Sequence, residues 1–367
     1  MQLHIIGGFL GSGKTTAIIG AARYLATKGK QVGVITNEQG RHLVDTEILR
    51  ADALPAMEVT GGCFCCHFDD LNQRLKDLID LHHPDVIFAE SVGSCADVVA
   101  TVVRPLLEME IGAIKPSSYT VFADVRLLYR YLHGLEMPFS DGINYIFGKQ
   151  IEEAGLLVVN KTDLIEAGQL EEVVEAARAS YPNTDLITAS ALAAPDIEAW
   201  VDGLLAGRYP PPVQSLSIDY DRYAEGEGHF AWIDREYQIS LDAKHTSAFI
   251  RSVLSRWTNI IEENQWVHGH IKVIVSGPDG THKISLAQSG EVISRQDLGA
   301  FPFDAVSSSG QFSILLNMLV EGKPDDLIRQ VDAGMEALAG QENAEYMVAR
   351  SYARVPGYPK PSYRIGN

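Results

Sequence analysis

The chemistry of this 367-residue chain is concentrated in a few short stretches. Gly8-Phe9-Leu10-Gly11-Ser12-Gly13-Lys14-Thr15 satisfies G-x-x-x-x-G-K-[ST] at every specified position, the pattern of a loop that holds nucleoside triphosphate. Gly8, Gly11 and Gly13 let the backbone take conformations closed to a β-carbon, so that successive N–H groups point at phosphate oxygens. Lys14 is placed to hold the β- and γ-phosphates, and the Thr15 hydroxyl to ligate Mg²⁺. Ser12 and Thr16 join them as nucleotide-contacting positions, and the following helix adds its positive N-terminal end. Asn160-Lys161-Thr162-Asp163 fits N-K-x-D, a base-reading motif. A carboxylate at Asp163 only accepts, which suits the N1–H and exocyclic amine of guanine. Adenine offers neither, and each bond left unmade costs about 1–3 kcal/mol, so GTP is favoured. Ser190-Ala191 resembles the loop that supports guanine from the other side. Three of the four cysteines crowd at Cys63, Cys65 and Cys66, a spacing that points to metal binding or redox chemistry rather than a disulfide framework.

These residues need a scaffold that brings strand ends together. Up to about Gly207 the chain alternates apolar, β-rich runs with helical stretches, as a parallel sheet with crossover helices requires. Strands are expected at Leu3–Ile6, Gln31–Thr36, Asp85–Ala89, Thr120–Ala123, Leu156–Val159 and Asp185–Thr188. Helices are expected at Thr15–Lys28, Leu71–Leu81, Asp97–Glu110, Leu170–Ser180 and Asp196–Leu205. Ligand loops then gather at the carboxyl ends of the strands. At one such end stands Glu90-Ser91-Val92-Gly93, where Glu90 can hold Mg²⁺ directly or through water and the Gly93 N–H can sense the γ-phosphate. The prolines of Tyr209–Gln214 mark a stiff linker. The fold class expected is α/β: a P-loop NTPase domain over 1–208, its mostly parallel sheet flanked by helices, and a smaller C-terminal α+β domain over 215–345 with a ferredoxin-like order. An irregular tail covers 346–367.

A net charge of −18 argues against nucleic acid or an anionic membrane as the main partner. The first thirty residues lack the basic start and small-residue cleavage site of a signal peptide, and no apolar run reaches the roughly 18 residues of a membrane span, so a cytoplasmic location is expected.

The order G-F-L-G-S-G-K-T-T, N-E-Q-G (Asn37–Gly40), G-C-F-C-C (Gly62–Cys66), E-S-V-G and N-K-T-D resembles the CobW-like metallochaperone GTPases, relatives of the urease and hydrogenase nickel-insertion GTPases. The resemblance covers about residues 1–205. It implies a nucleotide-gated transition-metal site built from Cys63, Cys65 and Cys66, with Glu38 as an oxygen ligand, and a client metalloprotein or cofactor-biosynthesis enzyme as recipient. It also implies a homodimer across the nucleotide face. Where the family runs from T-x-G to a proline, this chain has Ser91-Val92-Gly93-Ser94-Cys95-Ala96-Asp97, which brings a fourth cysteine two residues past Gly93. The C-terminal half does not match the family's companion domain residue by residue.

Thiolates are soft ligands suited to Zn²⁺, Co²⁺, Ni²⁺ or Cu⁺, with Zn²⁺ and Co²⁺ the leading candidates here. Three of them plus one donor complete a tetrahedral site, for which His67, Glu38 and Cys95 compete. His268 and His270, two residues apart, could share a strand face and a metal. The resulting expectation is a Mg²⁺-dependent GTPase that delivers a transition metal. A chaperone for a corrinoid-dependent enzyme, a zinc sensor with structural nucleotide and a small-molecule kinase are the rivals, the last disfavoured by Asn160–Asp163.

Overall fold

The computed structural model describes residues 1–38, 54–60, 63–109, 114–278, 280–286 and 310–366. They form two compact units. One contains the chain up to Gly226 and takes up the chain again from Tyr358; the other contains Glu227–Gly357.

The first unit is built on a parallel sheet of β1 (Gln2–Gly8), β2 (Val32–Glu38), β3 (Ala56–Thr60), β4 (Val86–Glu90), β5 (Pro116–Asp124), β6 (Leu156–Asn160) and β7 (Asp185–Ala189), in the order β3-β2-β4-β1-β5-β6-β7. Strands β1, β4 and β6 are buried on both faces, which is why they read as unbroken apolar runs. Helix α1 (Lys14–Thr27) buries Ala17, Ile18, Ala21, Ala22 and Leu25, a stripe at helical spacing, against Ile6, Val34, Phe88 and Trp200. Around the sheet run α2 (Phe68–His82), α3 (Arg104–Glu108), α4 (Val125–Leu132), α5 (Asp141–Glu152), α6 (Ala167–Ser180), α7 (Ala194–Leu205) and α8 (Tyr220–Gly228). β1 lies between β4 and β5, so its loop opens at the point where the strand order reverses, the place where such sheets bind ligands.

The helix expected over Asp97–Glu110 is shorter and irregular. A π-helical turn at Val99–Val103 precedes α3, and Thr101 turns its hydroxyl back onto the Asp97 carbonyl at 2.6 Å. The run of β-branched valines there favours neither a regular helix nor its early start.

The second unit holds β8 (Phe230–Ser240), α9 (Thr246–Glu263), β9 (His268–Gly277), β10 (Gly280–Leu286), β11 (Gln311–Glu321), α10 (Pro324–Glu342) and β12 (Glu345–Arg354), with the antiparallel sheet order β10-β9-β11-β8-β12. Two split β-α-β units, β8-α9-β9 and β11-α10-β12, interleave, with β10 added at one edge. The opening of the stretch expected to be an irregular tail is strand β12, paired with β8. Its outward side chains are mostly exposed at a sheet edge, so it lacks the apolar alternation by which strands are recognised. Among the described residues, no helix is long and apolar enough to cross a membrane.

Candidate nucleotide and metal sites

The loop after β1 has the backbone that its glycines predict. Gly8, Gly11 and Gly13 have φ values of 124°, 68° and 97°, and a Cβ on Gly13 would collide with the Asn160 side chain. Lys14 Nζ donates to the Gly8 and Phe9 carbonyls at 2.8 and 3.0 Å, holding its charge inside the loop. The Ser12 hydroxyl is buried without a hydrogen-bond partner, so the loop contains a polar atom that a phosphate oxygen would satisfy. Thr15 and Thr16 sit in the first turn of α1, and the Thr15 hydroxyl donates to Glu90 Oε1 at 2.9 Å. Strand end and helix start thus meet where Mg²⁺ would be held, and the residues present fit both nucleotide and ion.

Asn160, at the tip of β6, joins the Gly8–Thr15 loop to the Ser190-Ala191 turn. Its amide donates to the Ser12 carbonyl at 2.7 Å and accepts from Ala191 N–H at 2.9 Å. The Asp196 carboxylate, at the start of α7, accepts from Ser190 N–H at 2.8 Å. Lys161 has a left-handed backbone, φ 65°, and pairs with Asp124 at 3.0 Å, while Asp163 lies exposed on the next turn. Asp124 closes β5 and also holds Arg126. Burial disfavours its charge, but Lys161 and Arg126 prevail and depress its pKa to about 2. The motif search missed Asp124 and Asp196. Asp124 stands at a strand tip as Glu90 does, so the strand-end argument could have found it.

The cysteines occupy a tight turn that runs into α2. Cys66 and His67 N–H both donate to the Cys63 carbonyl at 3.0 Å, and Asn37, buried on β2, accepts from Phe64 N–H at 2.8 Å while donating to Val59. Phe64 and Phe68 anchor the turn in the core. The sulfur atoms of Cys63, Cys65 and Cys66 all lie within 4.8 Å of one another. Thiols of Cys65, Cys66 and Cys95 hydrogen-bond to Cys63 and stabilise it as a thiolate, so its pKa falls well below the usual range. The same bonds hold Cys65 in its thiol form, and Cys66 is pushed up to about 11, first by its bond to Cys63. Sulfurs that share protons through hydrogen bonds in this way are a set of donors able to lose them to a metal ion. His67 does not join the group, and the Glu38 side chain, with Gln39, Gly40, Gly61 and Gly62, lies outside the described residues. The His268–His270 pair is not part of a metal-ligating group either: His270 Nε2 instead meets the Asn317 side chain.

Gly93 and Cys95 connect the two sites. A Cβ on Gly93 would come within 3.0 Å of Leu10 N, so the segment rests directly on the phosphate loop. Gln150, buried on α5, donates to the carbonyls of both Gly93 and Cys95 at 2.9 and 2.8 Å. Beneath them Glu153 is fully buried, accepting from Val99 N–H and the Tyr119 hydroxyl. Burial, opposed by the Val99 bond and reinforced by the charge of Asp97, raises its pKa to about 8. Because the folded pKa lies above the unfolded one, the group supports folding fully at low pH. That support is lost as pH rises from about 4 to about 8. Glu153→Gln is therefore expected to lie close to the parent near pH 5 and to exceed it by on the order of 4 kcal/mol at pH 8.5, read by urea denaturation at both pH values. An unchanged difference between the two pH values would contradict the assignment.

Residues 2–188 match the family model for the CobW/HypB/UreG nucleotide-binding domain. The chain belongs to this family. Curated relatives include the zinc chaperone CobW of Sinorhizobium sp, 30% identical over 189 residues, which cover 46% of this chain and 53% of that one. The zinc chaperone YeiR of Escherichia coli is 28% identical over 167 residues, 44% of this chain and 47% of that one. The urease accessory protein UreG of Ureaplasma parvum is 30% identical over 169 residues, 43% of this chain and 70% of that one. The chain thus spans about half the length of the two zinc chaperones it matches. CobW/HypB/UreG membership identifies the first unit as a P-loop domain of the GTPase type and confirms the resemblance read from the motifs.

Proposed function

We propose that this protein is a GTPase that binds a transition metal, zinc foremost, through Cys63, Cys65, Cys66 and Cys95, and that hydrolysis changes how tightly those thiolates hold it for delivery to a client protein. One observation carries the reading: Leu10 of the phosphate loop touches Gly93, and two residues on, Cys95 hydrogen-bonds into the sulfur cluster. A shift at Gly93 when the γ-phosphate leaves therefore displaces a metal ligand.

The loop N–H groups and Lys14 bind and orient the triphosphate and stabilise charge on the transferred oxygens. Thr15 and Glu90 would hold Mg²⁺, which supplies further charge neutralisation at the phosphates. Asp163 accepts from guanine, Asn160 and the Ser190-Ala191 turn fix the loop around the base, and Asp124 keeps Lys161 in place. The three sulfurs of the turn form the compact donor group, and Cys95 is the candidate for the fourth place because its thiol hydrogen-bonds to Cys63 and Cys65. The names of two relatives, both zinc chaperones, favour zinc over cobalt.

The test pairs two measurements. Phosphate release should be much faster with GTP than with ATP, and zinc affinity, measured by competition with a chromophoric chelator, should differ at least tenfold between the GDP form and a form holding a non-hydrolysable GTP analogue. Equal zinc affinity in the two forms would rule out delivery by hydrolysis.

A further inference from the structure

The segment from Tyr358 onward is tied to the metal turn and to the switch behind it, bond by bond. Lys360 N–H donates to Cys66 Sγ at 3.3 Å, Ser362 N–H to the Cys65 carbonyl at 2.8 Å, and the Ser362 hydroxyl to the Cys66 carbonyl at 3.0 Å. The Tyr363 ring meets Phe68 edge to face at 5.2 Å, just after the cysteine turn. Arg364 donates to the buried Asp97 carboxylate at 2.7 Å and to the Leu216 carbonyl at 2.9 Å. Beyond it, Ile365 N–H donates to the Ala100 carbonyl, and Arg104 donates to the Gly366 carbonyl. Most of these contacts fall on the cysteine turn and the start of α2 or on the stretch that follows Cys95, while the Tyr358 hydroxyl donates to the Asp221 carboxylate on α8 at 3.1 Å.

Two features mark this as more than a loose end lying on a surface. Cys63, Cys65 and Cys95 are buried, so Cys66, half-exposed, is the sulfur open to the outside, and it is the one that the segment's backbone caps. Asp97 has a left-handed backbone, φ 65°, which is costly for a residue with a β-carbon, and it is held there by Arg364 and by the Tyr220 hydroxyl at 2.7 Å. The segment therefore grips a strained residue two positions from Cys95. A shift in the switch would loosen the grip, and loosening the grip would free the switch.

We propose that residues 358–366 form a strap that closes the thiolate site, with Arg364 as its latch on Asp97, and that metal passes to an acceptor through Cys66 once the strap lifts. The proposal rests on the reading of the cysteines as metal ligands, so the experiment separates the two. In metal-free protein, alkylation of each cysteine by iodoacetamide is followed by peptide mass mapping for the parent chain, for Arg364→Ala, and for a chain ending at Gly357. Cys66 should react about tenfold faster in Arg364→Ala, the factor that losing one charge-assisted hydrogen bond brings to a local opening, and at least as fast as that in the chain ending at Gly357, which loses the whole strap. Zinc loaded on the same proteins should pass to a chelator faster by a similar factor, with the bound stoichiometry unchanged. Equal Cys66 rates in all three proteins would overturn the strap. Faster alkylation in variants that bind no zinc, with a parent chain that also binds none, would uphold the strap and remove the metal-ligand reading instead.

Discussion

Cys63→Ser is expected to lower zinc affinity by two to three orders of magnitude while leaving GTP affinity within a few-fold of the parent. Cys63 is the sulfur to which the thiols of Cys65, Cys66 and Cys95 hydrogen-bond, which holds its pKa well below the usual range and makes it a donor that gives up its proton readily. Serine keeps the size but offers an oxygen that stays protonated and is too hard for zinc. If a four-thiolate site supplies roughly 10–16 kcal/mol in total, one ligand in four accounts for about 3–4 kcal/mol, which is the stated factor. Chelator competition at pH 7 measures it, and the thiolate-to-cobalt absorption of the Co²⁺ form should weaken in parallel. Zinc affinity equal to the parent's would show that the cluster is a packing feature and not a site.

Gly13→Ala is expected to lower guanine nucleotide affinity at least a hundredfold, the second large effect. The backbone there has φ 97°, which costs a residue with a β-carbon about 1–2 kcal/mol, and the added methyl would displace Asn160. Displacing Asn160 breaks its bonds to the Ser12 carbonyl and Ala191 N–H, so the phosphate loop and the base-supporting turn are lost together. Gly29→Ala supplies the control. It shares the positive φ, at 70°, but has open space around it, so it should cost about 1 kcal/mol in urea denaturation without changing nucleotide affinity. Fluorescent nucleotide titration distinguishes the two; similar affinities for both variants would remove Asn160 from its central place.

Motifs whose chemistry depends on consecutive residues could be read from the chain directly. Gly8–Thr15 and Asn160–Asp163 are local: the turn that presents each group lies within the motif itself, and the flanking apolar runs place both at strand ends. The cysteine turn was equally plain. Cys95 was a candidate there as well, but Gln150 and Arg364 were not, because they come from stretches 84 to 301 residues away from Cys66 or Cys63 and no spacing rule links them. Strand β12 escaped notice for a different reason. Its packing is set by pairing with β8 rather than by an apolar face, and an edge strand with exposed Arg and Glu side chains has the composition of a loop. The π-helical turn at Val99–Val103 likewise depends on contacts with Glu153 that its own sequence does not display.

Asn160 has one more consequence, and it concerns time. On the proposed reading, in which the Ser190-Ala191 turn supports the base, the Asn160 amide joins that turn to the phosphate loop, so that release of one end of a bound nucleotide would disturb the other. Two weak attachments that must break together give slow departure even where each is modest. Such a protein would stay in whichever nucleotide state it last reached until something pulls on residue 160 or its two partners, and the lifetime of that state, rather than the rate of hydrolysis alone, would set the interval between one metal transfer and the next.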